Sequence, residues 1–95
     1  MRSLKNKNMR VAVWDTYVKK ENGETMHFDI IAPESIKDEA MIHKMGKEYL
    51  ATKNQQDQPL TAKECRFCHQ EIASEEMQQS IDNNGYYIIE MEGCD

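Results

Sequence analysis

Apolar and polar positions alternate in two runs near the start of the chain, at residues 10–19 and 25–32. Both runs are rich in β-branched and aromatic side chains, which favour strands. Between them lies Asn22-Gly23, the dipeptide most typical of a tight hairpin, because both central residues of a type I′ turn need a positive φ. The pattern therefore predicts a β-hairpin whose second strand ends at Pro33.

A helical period replaces the alternation in the stretch from Ser35 to Lys53. Ser35 is placed to cap the N-terminus of this helix. At about 100° per residue, one broad face collects the apolar side chains and a glycine. These residues are Ile42, Met45, Gly46, Tyr49 and Leu50. Gly46 on that face predicts a close approach of the helix to the sheet, because glycine otherwise lowers helix stability.

The second half of the chain predicts a strand, a short helix and a last strand. The first of these is CRFCHQEI, at residues 65–72, and the last is YYIIEM. Ser74 and Gly85 bracket the helix as its N-cap and its C-terminal glycine, and Met77 and Ile81 face inward. The order ββαβαβ predicts an α+β fold. We expect a two-layer sandwich with a mostly antiparallel four-stranded sheet and both helices on one face.

Length and composition predict one small domain. The chain has 95 residues, of which 39% are hydrophobic and 31% charged. We expect a single α+β domain at residues 9–95 and a disordered tail at residues 1–8. The basic start lacks the apolar segment of a secretory signal, and no apolar run reaches the ~20 residues of a membrane span. A cytoplasmic protein with no membrane partner is expected.

The net charge of the chain further restricts the classes of partner that we expect it to bind. The net charge is −5, and no lysine or arginine cluster supplies the basic face of a nucleic-acid binder. No glycine-rich phosphate loop appears, and no nucleophile is placed beside a base, so enzymatic activity is left open. These observations favour a protein without a cofactor, monomeric or homodimeric, whose partner is a small ligand or another protein.

The segment CRFCHQE carries the most suggestive chemistry, because Cys-x-x-Cys-His occurs in haem attachment and Cys-x-x-Cys in zinc and redox sites. Covalent haem attachment requires export, which the start of the chain does not indicate. Zinc would need four ligands, and the candidates are Cys65, Cys68, His69, His27 and Cys94. No glycine or proline between the two nearest cysteines supplies the sharp turn of a zinc knuckle. A redox pair is expected at a helix N-terminus, and this pair precedes one by several residues.

Strand alternation favours a plainer interpretation of the same segment. It places Cys65, Phe67 and His69 on a core face and turns Cys68 to the opposite face. Free cysteine packs as a small hydrophobic side chain, so packing explains Cys65 better than ligation does. A thiol-redox or zinc-binding protein using Cys65, Cys68 and His69 is kept as the alternative hypothesis.

The hairpin offers a second candidate surface. A two-residue turn at Asn22-Gly23 fixes its register. The cross-strand pairs are then Val18 with His27, Thr16 with Asp29, and Trp14 with Ile31. The other, more apolar face would pack under the helices, with Asp15 as a buried polar misfit in need of a partner.

The first face of this predicted hairpin carries chemistry suited to recognition. A carboxylate beside an imidazole fixes its tautomer and raises its pKa, and an exposed indole anchors ligands or partners. The main hypothesis is therefore a ligand- or partner-binding domain that uses Trp14, Thr16, His27 and Asp29. The same register makes Trp14 and His27 near neighbours, so the emission of Trp14 would titrate with the imidazole.

Four segments, VAVWDTYV, MHFDIIAP, KECRFCHQE and GYYIIEMEGC, together resemble the family known as domain of unknown function number two thousand and twenty-four. Its members are small, mostly bacterial proteins. The resemblance runs from about Met9 to Cys94, nearly the whole chain. It implies a compact α+β fold. It implies no activity and supplies no catalytic residues.

Overall fold

The computed structural model describes residues 9–95, and the predicted tail at residues 1–8 lies outside them. The described elements are β1 Arg10–Lys19, β2 Thr25–Pro33, α1 Glu39–Ala51, β3 Cys65–Ile72, α2 Glu75–Asn84 and β4 Tyr87–Glu92. They confirm the α+β class and the order ββαβαβ. All four strands form one sheet in the order β3-β1-β2-β4, and every neighbouring pair is antiparallel. No helix within residues 9–95 has the length and apolar character needed to cross a membrane.

The hairpin forms between the predicted strands, but its register is one residue away from the predicted one. His27 faces Tyr17, and Asp29 faces Asp15. The predicted pairing of His27 with Val18 is therefore wrong, as are the two pairs derived with it. A shift of one residue exchanges the faces of one strand relative to its partner. The side chains that the prediction grouped together are consequently divided between the two faces of the sheet.

The turn explains this shift. The Gly23 N–H donates to the Lys20 carbonyl at 3.0 Å, and the Lys20 N–H donates to the Glu24 carbonyl at 2.7 Å. Gly23 has a φ of +92°. These contacts define a type I turn closed by a glycine bulge, a three-residue loop in place of the two-residue type I′ turn. The additional loop residue moves β2 by one position along β1.

The two helices cover opposite faces of the sheet. α1 packs on the face formed by the even-numbered residues of β1 and β2, and the residues it buries there are the predicted set: Ile42, Met45, Gly46, Tyr49 and Leu50. α2 packs on the other face, where Met77 and Ile81 meet Val11, Val13 and Ile31. The prediction of a two-layer sandwich with both helices on one face is therefore wrong. Because the central strands carry apolar side chains on both faces, each face needs a cover of its own.

The ends of both helices are set by capping residues close to them in sequence. Ser74 and Gly85 cap α2 as predicted, and Gly85 has a φ of +94°. α1 begins later than predicted, because Asp38 rather than Ser35 caps it by accepting a hydrogen bond from the Ala40 N–H at 3.0 Å.

Gly46 marks the close approach of α1 that the sequence predicts. A Cβ atom at this position would lie 2.5 Å from Cδ1 of Leu60 and 3.0 Å from Cδ1 of Ile30. Ile30 belongs to β2, and Leu60 lies in the loop that follows α1. The absent side chain therefore lets the helix, the loop and the sheet meet at one point, which explains a glycine inside a helix despite its low propensity.

A β-bulge interrupts β3 at Cys68. Phe67 pairs with Trp14 and His69 pairs with Val13, which leaves one residue of β3 without a partner in β1. The bulge reverses the alternation of side chains beyond it. The prediction that His69 shares the face of Phe67 is therefore wrong, and His69 lies on the same face as Val13.

Candidate functional site

Three side chains with metal-binding or proton-transferring groups meet on the α2 face of the hairpin, next to the apolar cluster under α2. They are Asp15, His27 and Asp29, and we call them the carboxylate–histidine cluster. Each offers one atom within 4.8 Å of an atom from each of the others. Asp15 faces Asp29 directly across β1 and β2, and Nε2 of His27 lies 2.6 Å from Oδ1 of Asp15. Main-chain pairing of two central strands thus fixes the position of the cluster.

Asp29 is the buried member of the cluster, with 8% of its surface exposed. Its Oδ1 atom accepts no hydrogen bond from any residue that the structure describes. Burial raises the pKa of Asp29, and the facing carboxyl of Asp15 raises this pKa further, whereas His27 and His69 lower it. A carboxyl in this position favours a bound proton or a bound cation over a bare negative charge.

His27 is held from two sides. Its Nε2 faces Asp15, and its ring stacks on the ring of Tyr17 with centroids 4.1 Å apart and planes inclined by 12°. Partial desolvation raises the pKa of Tyr17, and so do the nearby carboxylates of Asp15, Asp29 and Glu92. The imidazole therefore has a fixed orientation in an environment dominated by negative charge.

The bulge in β3 brings a second histidine to this face. His69 follows the bulge, and its charge lowers the pKa of Asp29. Its Nε2 lies 2.8 Å from Oε1 of Glu71, and its Nδ1 lies 3.2 Å from Sγ of Cys68. Both ring nitrogens of His69 thus have neighbours within its own strand.

Comparison with known proteins gives the family. A family model described as "Domain of unknown function (DUF2024)" matches residues 9–91. The chain belongs to this family. The NMR structure of protein NE1680 from Nitrosomonas europaea, a structural-genomics target, is 39% identical in sequence with a TM-score of 0.79. The match covers 92% of this chain and 100% of that one. A search of curated proteins finds no match.

In this DUF2024 chain, the four residues of the predicted binding surface are not all together. His27 and Asp29 lie in the carboxylate–histidine cluster. Trp14 and Thr16 lie on the α1 face, with 8% and 0% of their surfaces exposed. The Thr16 hydroxyl donates to the Trp14 carbonyl at 3.2 Å, and the Trp14 ring packs edge-on against Phe67 with centroids 5.6 Å apart. The shifted register places Trp14 and Thr16 in the core.

Sequence reasoning missed Asp15 and Tyr17 as neighbours of His27. The predicted register placed both on the core face, where Asp15 was a polar residue without a partner. That misfit was itself the available signal, because a buried carboxylate without a partner is costly. In the observed register Asp15 meets His27, and the residue that enters the core instead is Thr16, whose hydroxyl is satisfied by a main-chain carbonyl.

Cys65 and Cys68 lie apart in this DUF2024 fold. Cys65 is 1% exposed and belongs to the core under α1, whereas Cys68 is exposed at the bulge. Burial raises the pKa of the Cys65 thiol. Within residues 9–95, the carboxylate–histidine cluster is the one group of three potential ligands, so Cys65, Cys68 and His69 do not form another. The burial of Cys65 that strand alternation predicts is confirmed.

Proposed function

We propose that this DUF2024 domain binds a small, positively charged ligand at the carboxylate–histidine cluster. The observation that supports this most directly is Oδ1 of Asp29, a buried acceptor without a donor among the described residues. An unsatisfied buried acceptor costs roughly 1–3 kcal/mol of folding free energy, and more when it is charged. A cation, or a ligand that donates hydrogen bonds, would remove that cost.

Access to the cluster supports the same proposal. The side chains of Asp15 and His27 are 37% and 22% exposed, so the cluster opens to solvent on one side while Asp29 closes the other. A ligand can therefore reach two carboxylates and an imidazole from the solvent side. The hairpin thus keeps its predicted ligand-binding role. The β1 residue that joins His27 and Asp29 is Asp15, in place of the predicted Trp14 and Thr16.

A small ligand, rather than nucleic acid, suits the charge of the protein. The net charge of −5 and the two carboxylates of the cluster would repel phosphate groups.

We include the predicted cytoplasmic location in the proposal, because the three cysteines, all within the described residues, are unpaired. Unpaired thiols are typical of reducing compartments.

One observation favours a second candidate function. Sγ of Cys68 lies 3.2 Å from Nδ1 of His69, whose Nε2 faces Glu71. An imidazole beside a thiol, oriented by a carboxylate, is the arrangement that activates cysteine nucleophiles. Since Cys65 is buried on the other face, this alternative involves Cys68 as a single reactive thiol rather than a dithiol pair.

The proposed function can be tested by NMR titration of ¹⁵N-labelled, tag-free protein with zinc, magnesium, putrescine and guanidinium chlorides. At least one of these cations should shift the amide resonances around Asp15, His27 and Asp29 saturably. Asp29→Asn should abolish the shifts, whereas Asp57→Asn, which neutralises an exposed carboxylate in the loop after α1, should retain them. Shifts that persist in Asp29→Asn, or no saturable shifts with any of the four cations, would exclude the proposal.

A further inference from the structure

We infer that the ligand of the carboxylate–histidine cluster is a divalent transition-metal ion, held by Asp15, His27 and Asp29. This inference rests on the proposed function and specifies its ligand. The donors are two carboxylates and one imidazole nitrogen. Magnesium and calcium prefer sites built from oxygen alone, whereas imidazole suits zinc, copper, iron and nickel. The mixed set therefore points to a transition metal, with zinc or cobalt(II) as practical probes.

The spacing of the donors fits one ion. Ligands about 2.0–2.2 Å from a tetrahedral zinc ion lie roughly 3–4 Å from one another. The donor atoms of the cluster already lie within 4.8 Å of one another. Nε2 of His27 and Oδ1 of Asp15, at 2.6 Å, are closer than two ligands of one ion. That pair must separate by roughly 0.5–1 Å when the metal takes the place of the proton between them.

A second observation distinguishes this cluster from a chance group of surface acids. Asp29 is more than nine-tenths buried, and its Oδ1 has no donor among residues 9–95. Surface acids are hydrated and need no partner, whereas Oδ1 of Asp29 is shielded from solvent and accepts no hydrogen bond from the described residues. A metal ion between Asp15 and Asp29 would neutralise both carboxylates and satisfy that oxygen.

The remaining coordination positions would be open to solvent. Three protein ligands with water in the next position are typical of catalytic rather than structural zinc sites. The exposed edges of Asp15 and His27 leave room for this water. His69 lies on the same face but has Glu71 and Cys68 at its two ring nitrogens. We therefore assign His69 as a neighbour of the site and not as a ligand.

The test uses tag-free protein stripped of metal with a chelator that is then removed. Calorimetric titration should show one equivalent of zinc bound, with an affinity at least about tenfold above that for magnesium. Cobalt(II) should give visible absorption bands of a low-coordinate complex with nitrogen and oxygen ligands. Zinc should also raise the melting temperature of the wild-type protein, and EDTA should reverse this rise. The last measurement needs no variant and so does not depend on a variant's folding.

Matched variants locate the ion. Asp29→Asn and His27→Gln should each weaken zinc binding by about tenfold or more, whereas Asp57→Asn and His69→Gln should leave it within about twofold. Cys68→Ser should also leave it unchanged. Loss of binding in Cys68→Ser or His69→Gln, with binding kept in Asp29→Asn, would place the ion on β3 and overturn the inference.

The titrations also separate this inference from the proposed function. If putrescine or guanidinium shifts the resonances of the cluster and Asp29→Asn abolishes those shifts, the cluster binds cations. Absence of zinc and cobalt binding in the same protein would then overturn only the metal assignment. If none of the cations binds the wild-type protein, both the metal site and the cation-binding function are excluded.

Discussion

Asp15 and Asp29 face each other across the two central strands of the sheet, and Asp29 is the more buried of the two. Like charges directly opposite each other destabilise an antiparallel pair. His27 lies 2.6 Å from Asp15 and offsets one of the charges, while Oδ1 of Asp29 has no donor among the described residues. This arrangement lowers stability in the absence of a ligand. Such local conflicts are typical of functional sites.

Replacing Asp29 with Asn should therefore stabilise the metal-free protein at neutral pH. Burial and the facing Asp15 raise the pKa of Asp29, so the folded state binds this proton more tightly than the unfolded chain does. The stabilisation from that proton is fully present below the ordinary pKa of 3.8 and is lost as the pH rises through the higher folded value. The melting temperature of Asp29→Asn should exceed that of the wild type at about pH 7, and the difference should shrink towards about pH 4.

Thermal unfolding followed by circular dichroism in EDTA measures this difference. For a domain of this size, each 1 kcal/mol changes the melting temperature by about 4–8 °C. The groups that act on Asp29 are Asp15 from β1, His27 from β2 and His69 from β3. If the wild type is the more stable at neutral pH, the two histidines outweigh burial and the facing carboxyl. Asp57→Asn, which removes an exposed carboxylate from the loop after α1, is the control variant.

Trp14 should report on the core rather than on His27. The two residues lie on opposite faces of the sheet, and the chain has a single tryptophan. We expect the emission of Trp14 to stay constant between about pH 5 and pH 8, and His27→Gln to leave the spectrum unchanged. Phe67→Ala should shift the emission to longer wavelength, because the Phe67 ring covers one edge of the indole. A pH-dependent emission that His27→Gln abolishes would contradict the observed register.

The register of the hairpin is the part of the central sheet that local sequence does not determine. Alternation predicted β1 and β2 closely, because it is a local property of each strand. Asn22-Gly23 is compatible both with a two-residue turn and with a three-residue turn that ends in a glycine bulge. These turns differ by one position in register, and the dipeptide alone does not select between them. Since one position exchanges the faces, the grouping of Asp15 with Asp29 was not predictable from this signal.

The bulge at Cys68 is a second feature that the sequence did not predict. No glycine or proline marks it, and the apolar pattern of β3 is weak, because most of this edge strand is exposed. Nothing in the sequence therefore indicated that His69 lies on the same face as the carboxylate–histidine cluster. By contrast, the buried face of α1 and the caps of α2 depend on contacts within a few residues, and both were predicted correctly. The predictable parts of this fold are those set by local sequence.

Cys68 should react with iodoacetamide at least about tenfold faster than Cys65 in the native protein. Cys68 is exposed with its sulfur 3.2 Å from Nδ1 of His69, whereas Cys65 is buried and its pKa is raised by that burial. Brief alkylation followed by peptide mass spectrometry measures both rates. Denatured protein, in which all cysteines should react alike, is the control. Fast and equal labelling in the native state would mean that β3 does not pack as observed.

Gly93→Ala should destabilise the protein more than Gly85→Ala does. Both glycines have positive φ, +68° and +94°, where alanine costs about 1–2 kcal/mol. A Cβ atom at Gly85 would meet nothing within 4 Å, whereas one at Gly93 would overlap the carbonyl oxygen of Thr25 at the start of β2. Gly85→Ala is thus a matched control for the backbone term alone, and we expect it to lower the melting temperature by about 4–16 °C.

The decrease in melting temperature of Gly93→Ala beyond that of Gly85→Ala measures how firmly residues 93–94 are held against the hairpin. The Gly93 carbonyl accepts a hydrogen bond from Nζ of Lys20 at 3.2 Å, and the Cys94 thiol donates to the carbonyl of His27 at 3.4 Å. A shift of residue 93 away from Thr25 would lengthen or break these contacts. Thermal unfolding in EDTA should therefore rank wild type above Gly85→Ala and Gly85→Ala above Gly93→Ala. Equal melting temperatures for the two variants would mean that residues 93–94 move away from β2 at little cost.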